Sequence, residues 1–238
     1  MNEGLRRLVG EAWAFRTRVE QDAALRFTRL AASISSFDPG SPVIALMGRA
    51  AEDERRHAGL CAELAAAYGE PAAEGGPLPD IVPAELGPRA GVLYEVVAAC
   101  CITETESVAT LTTLLAGPSE TRVREILHEI ARDEVVHGRM GWAHLAREGG
   151  QTDVSFLGRW IPTMLDGTVD EGLFSAPGAE HDSEELLRHG VLPQAQKRSI
   201  FISTLEGVVF PGLEQFGVDP SAGRAWLAAR RDVATAPA

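Results

Sequence analysis

Two stretches of the chain combine carboxylate and imidazole at a spacing that suits metal binding. Residues 51–58 read Ala-Glu-Asp-Glu-Arg-Arg-His-Ala and residues 131–138 read Ala-Arg-Asp-Glu-Val-Val-His-Gly, so both share Ala-x-Asp-Glu-x-x-His followed by a small residue. On an α-helix, Glu54 and His57, and likewise Glu134 and His137, lie one turn apart on one face, where a carboxylate oxygen and a ring nitrogen can grip one ion. Two such grips point to two ions.

These side chains need rigid carriers, and the hydrophobic pattern supplies them. From Gly4 to Phe37, Val9, Trp13, Ala23, Phe27, Leu30 and Ile34 recur at spacings near three and four, with Glu20 in the same series, which predicts an amphipathic helix. Asp38-Pro39-Gly40 predicts a turn, Ser41 an N-cap and Pro42 the first position of a second helix, which runs to Tyr68 and stops at Gly69. Its seam reads Val43, Met47, Ala50, Glu54, His57, Cys61, Leu64, Tyr68. Residues 69–91 hold five prolines and five glycines, so they form a connection, long enough to cross a bundle from end to end.

A third helix is expected over 92–116, with seam Leu93, Val97, Cys100, Glu104, Ser107, Leu111, Leu115. A fourth runs to about Arg147, with seam Val123, Leu127, Ile130, Glu134, His137, Gly141 and then His144 or Leu145. After Gly149-Gly150, helices are expected near 153–166, 183–189, 193–216 and 219–231, with Pro193 and Pro220 in first turns and Pro211 at a kink. The stretch Ile200, Phe201, Ile202, Leu205, Val208, Val209, Phe210 is apolar nearly all round, which predicts burial on more than one side. Residues 234–238 read as a loose tail.

Each of the four long helices thus carries one Glu on its apolar seam: Glu20, Glu54, Glu104 and Glu134. Buried carboxylates are costly unless paired or bound to metal. Glu20 precedes Glu54 by 34 residues and Glu104 precedes Glu134 by 30, intervals that let each helix pair bring its two Glu to similar depth. A single Glu-x-x-His in an acidic helical protein is more often a solvated face; two copies on seams, each preceded by a Glu-bearing helix, favour a site. On the third helix Glu95 and Glu106 are rivals to Glu104, and both fall off the Val97, Cys100, Leu111 stripe. Glu52, Glu129, His128, His181 and His189 read as surface residues, and Arg16, one turn before Glu20, as a snorkelling Arg that can alternatively anchor an anion.

Composition bounds the partners. Lys and Arg number 22 against 34 for Asp and Glu, a formal charge of −12, which makes nucleic acid an unfavourable partner. No apolar run approaches membrane-spanning length and the N-terminus has no signal-peptide pattern, so a cytoplasmic protein with no membrane association is expected. Cys61, Cys100 and Cys101 lack metal-type spacing and read as reduced core residues. The length suits one domain, with residues 1–150 forming the four helices and 151–238 packed on them as an extension.

The paired Glu and Glu-x-x-His pattern over about residues 9–147 resembles the ferritin-like di-iron carboxylate superfamily. That resemblance implies an all-α, ferritin-like four-helix bundle with one long crossover plus additional C-terminal helices. It implies Glu20 and Glu104 as terminal ligands, Glu54 and Glu134 as bridges between two metals, and His57 and His137 one on each. Asp53 and Asp133 match an Asp that in several members hydrogen-bonds a ligand His of a neighbouring helix; a surface residue is an equal alternative for Asp53 and a weaker one for Asp133. Mixed carboxylate and imidazole donors suit two iron ions first, with manganese or a mixed pair as alternatives. Arg55 stands where bacterioferritins present a haem-ligating Met, so no haem is expected, and a rubredoxin-type cysteine pair is missing. Ile130 replaces the extra His of arylamine N-oxygenases.

The residues inside the two motifs differ: Arg55-Arg56 reads as solvent-facing and Val135-Val136 as covered by the C-terminal helices, in outline closer to small di-iron oxygenases than to storage proteins. The expected function is therefore oxidation of a small organic substrate by dioxygen with external electrons, in a monomer or homodimer. A ferroxidase or iron-handling protein, and a non-enzymatic metal-binding helical protein, are the alternatives.

Overall fold

The apolar periodicity of the N-terminal third folds as two long helices, α1 (Glu3–Phe37) and α2 (Val43–Tyr68). In this computed structural model, which describes residues 1–72, 75–169, 172–175 and 183–235, the described chain is all-α and without strands. The remaining elements are α3 (Pro88–Val96), a π-helical segment (Val97–Thr103), α4 (Glu104–Ala116), α5 (Thr121–Gly149), a 3₁₀ segment (Ser155–Trp160), α6 (Ile161–Thr168), α7 (Ser183–Arg188), α8 (Gln194–Thr204), a second π-helical segment (Leu205–Val209), α9 (Phe210–Gln215) and α10 (Ser221–Thr235). No described helix is long and apolar enough to cross a membrane. His181 and residues 236–238 lie outside the described residues, and 234–235, expected in the tail, belong to α10.

The chain falls into two compact units, each entered more than once. The first holds Met1–Asp80, Thr110–His137 and Glu180–Pro193; the second holds Ile81–Ala109, Gly138–Ala179 and Gln194–Ala238.

In the first unit α1 and α2 pack antiparallel: Arg6 near the start of α1 donates to the Tyr68 carbonyl at the end of α2, and Arg55 donates to Thr28. The seam of α1 buries Leu5, Val9, Trp13, Glu20, Ala24, Phe27, Leu30 and Ile34. Gly69 ends α2 in the left-handed conformation at φ 93°, as its position after Tyr68 predicts. Ser41 does not cap α2: Pro42 occupies the cap position without a side-chain bond, and the Ser41 side chain is buried. The first part of α5 joins this pair through Arg122, which makes a two-pronged ion pair with Glu63 at 2.7 and 2.9 Å.

The segment after α7 closes the unit. Trp13 Nε1 donates to the His189 carbonyl at 2.9 Å, and the Tyr68 hydroxyl meets His189 Nδ1 at 2.9 Å. Gly190, at φ 73°, sits where a Cβ would fall 2.7 Å from both the Trp13 ring and Val123, so only glycine fits. His189 is consequently buried rather than at the surface, because the chain turns inward there to supply a carbonyl to Trp13.

The second unit is built on a continuous apolar cluster. Leu93, Val97, Cys101 and Ile102 pack with Leu145, Leu157, Ile161, Phe201, Leu205, Val209, Phe210 and Trp226. Phe174, Phe201 and Trp226 meet edge to face in a triangle. The expected burial of the Phe201–Phe210 stretch is met at Phe201, Leu205, Val209 and Phe210, whereas Val208 is half exposed. Pro211 falls in the first turn of α9, directly after the π-helical segment Leu205–Val209; a wider turn accommodates the carbonyl that the proline ring would strike and leaves no amide to satisfy at that point. Helix three starts at Pro88, earlier than expected, because proline suits the first turn. Arg89 of that turn makes a two-pronged ion pair with Glu148, itself almost fully buried.

Candidate metal centre

Three helices of the first unit carry the cluster. Glu20 lies on α1, Glu54 and His57 on α2, Glu134 and His137 on α5, and all five side chains are buried. Each is on the seam of its helix, so the same periodicity that buries Phe27, Met47, Cys61, Leu127 and Ile130 carries these polar groups inward.

The two central glutamates divide their oxygens between the two imidazoles. Glu54 places Oε2 3.2 Å from His57 Nδ1 and Oε1 2.8 Å from His137 Nδ1. Glu134 places Oε1 3.3 Å from His57 Nδ1 and Oε2 3.4 Å from His137 Nδ1. The result is two positions, each faced by one ring nitrogen and one oxygen from each of two carboxylates. Around the His57 position, donor atoms of Glu20, Glu54, His57 and Glu134 all lie within 4.8 Å of one another. This donor set can hold a metal ion.

Electrostatics agree with a cation site. Burial, and after it the neighbouring Glu54 carboxylate, pushes Glu20 well above the ordinary carboxylate range. Burial alone would lower both imidazoles, but Glu134 and Glu54 outweigh it and push His57 and His137 up to about 10. Without metal, the two imidazoles hold their protons more tightly beside these carboxylates than they would free in water. Burial, with Glu20 next, also pushes the Cys61 thiol up, which keeps it a neutral core residue.

The outward nitrogens are held in a crossed pattern. His57 Nε2 lies 3.3 Å from Asp133 Oδ2, and His137 Nε2 lies 3.5 Å from Asp53 Oδ2, so each aspartate faces the imidazole of the other motif. Burial works against the charge on Asp133, yet hydrogen bonds from Arg132, His57 and Arg56 hold its carboxyl below the usual range. Phe27 packs edge-on against the His137 ring, centroids 5.8 Å apart.

Glu104 belongs to the second unit. It is buried at the first position of α4, directly after the π-helical segment, and its Cβ lies 3.9 Å from the Cβ position of Gly138, the residue after His137. Its rival Glu95 is buried as well, contrary to its place off the apolar stripe, and Leu114 rather than Leu115 is buried beyond it. Glu95 lies in a run, Leu93–Ala98, that is buried on every side, whereas Leu114 follows the π-helical stretch Val97–Thr103, whose wider turns shift the phase that an unbroken α-helical count assumes.

One reading from the motif interiors changes: Val135 and Val136 are exposed rather than covered, like Arg55 and Arg56. Arg56 is solvent-facing as read, and its guanidinium also contacts both Asp53 and Asp133. Its spacing of three from Asp53 was the available signal. Both His144 and Leu145 are fully buried, resolving the alternative on the fourth seam in favour of both. No family model matches the chain, and no curated protein matches it.

Proposed function

We propose that the protein is a non-haem di-iron oxidase or oxygenase of ferritin-like type, which uses dioxygen and external electrons to oxidise a small organic substrate. The observation that carries this reading is the division of oxygens at Glu54 and Glu134: two carboxylates, each shared between two inward-facing imidazoles, suit two ions side by side. Glu20 would serve the His57 position as terminal ligand, and the family resemblance alone assigns Glu104 as terminal ligand of the second ion. The donor set of carboxylate oxygen and imidazole nitrogen favours iron, with manganese or a mixed pair as second choice. Two ferrous ions bound there would supply reducing electrons to dioxygen.

The chain's own residues account for the rest. Glu54 and Glu134 fix the spacing of the two positions, and burial of all five side chains keeps bulk water from the donors. Asp53 and Asp133 set which ring nitrogen of each imidazole faces inward. The buried Glu20 carboxyl, whose proton affinity is raised, can hold or release a proton beside the His57 position.

Anaerobic loading with Fe(II), followed by oxygen exposure and Mössbauer spectroscopy, tests the proposal. Two irons per chain that oxidise together, and lose that behaviour in Glu134→Ala, are expected. Fewer than two irons per chain with no effect of Glu134→Ala would overturn the site. Oxidation of iron by the thousand into a mineral core would overturn the oxygenase assignment.

A further inference from the structure

The two motifs are not equivalent outside the cluster. Aligning them sets Arg56 against Val136 and Glu52 against Arg132. If each half supported its own aspartate there would be two guanidiniums in matching places. Instead Arg56 Nη1 donates to Asp53 at 2.9 Å and Arg56 Nη2 donates to Asp133 at 2.6 Å, while its Nε lies 3.3 Å from Glu129. Asp133 has a second cation in Arg132, at 3.1 Å.

We propose that Arg56 is a positioning residue shared by both halves of the centre: one guanidinium orients Asp53 and Asp133 together, and through them the outward nitrogens of His137 and His57. This rests on the metal reading above. The two-pronged planar fork suits the task, since it fixes two carboxylates at a set angle and a lysine would hold only one at a time. Arg56 is substantially exposed, and exposed ion pairs add little to stability, so its contribution lies in the orientation of the groups behind it. The inference also makes the halves unequal: Asp133 retains Arg132 when Arg56 is removed, whereas among the described residues Asp53 meets no second guanidinium, so the His137 position depends on Arg56 more strongly.

The test compares wild type, Arg56→Met, Arg56→Lys and Arg122→Met by anaerobic titration with Fe(II) and with Mn(II), and by Mössbauer spectra of the iron-loaded proteins. Arg122→Met is the structural control, because it removes an exposed two-pronged tie between the same helices α2 and α5 that reaches no aspartate of the centre. Arg56→Met is expected to weaken metal affinity about tenfold to a hundredfold, more at one position than the other, and to alter the spectrum; Arg56→Lys restores part of the affinity, and Arg122→Met changes neither. Unchanged affinity and spectrum in Arg56→Met, or an equal loss in Arg122→Met, would overturn the inference while leaving the metal site intact. Fewer than two ions in the wild type would instead overturn the metal reading on which it rests.

Discussion

Glu54 of the first motif reaches His137 of the second, Oε1 to Nδ1, at 2.8 Å. The two Glu-x-x-His pairs are therefore interlocked, and each carboxylate belongs to both. A substitution in one motif therefore disturbs both positions.

Removing Glu20 separates stability from binding. Its carboxyl is buried beside Glu54, so in the metal-free protein the charged form is unfavourable. Glu20→Gln is expected to raise the stability of the metal-free protein by roughly 1 kcal/mol and to weaken Fe(II) binding at least tenfold. Thermal melts with chelator and anaerobic titrations check the two halves; a loss of metal-free stability would count against the repulsion described here.

The metal-free protein should weaken in alkali. His57 and His137 are raised from an ordinary 6.5 to about 10, so each binds its proton more tightly folded than unfolded. That contribution is fully present below about pH 6.5 and is lost as pH rises toward 10. Melting temperatures with chelator are expected to fall steadily across this window, and bound Mn(II) or Fe(II), which replaces those protons, is expected to flatten the decline. A flat metal-free profile contradicts the prediction.

Gly141 lies where α5 meets the π-helical segment. A Cβ there would sit 2.4 Å from Cys100 Cβ and 3.2 Å from the Cys101 amide nitrogen, so backbone as well as side chain must move. Gly141→Ala is expected to cost about 1–3 kcal/mol in urea unfolding.

The Tyr68 and His189 contact fastens the segment after α7 without touching the metal donors. Tyr68→Phe removes one partly buried hydrogen bond and is expected to cost about 1 kcal/mol, with Fe(II) stoichiometry unchanged. Reduced metal content in this variant would mean that the segment supports the centre at a distance.

Much of this was legible in the sequence. Seam positions Glu20, Glu54, His57, Glu134 and His137 could be found because three of the carriers are regular α-helices in which a count of 3.6 residues per turn holds throughout. The burial of Leu114 could not, since the turn changes width before it and no residue type announces it, and that of Glu95 could not because its stretch of helix is buried on every side. Arg56 is solvent-facing as its pattern indicates, but its contacts were not legible, since exposure of a long side chain says where it stands and not what its tip holds. His189 looked like a surface residue because its burial depends on Trp13, 176 residues earlier in the chain.

The π-helical stretch Val97–Thr103 delivers Glu104 at its exit. A π turn takes about one residue more than an α turn. Deleting Ala99 is therefore expected to let the segment close as ordinary α-helix with Glu104 at nearly its present bearing, because the residue removed is the one the wide turn had absorbed. Such a variant is expected to keep its helical circular dichroism and its metal stoichiometry, and a loss of either would count against this account. The wide turn is slack in the chain: it takes up one residue of length while the helix on either side keeps its bearing.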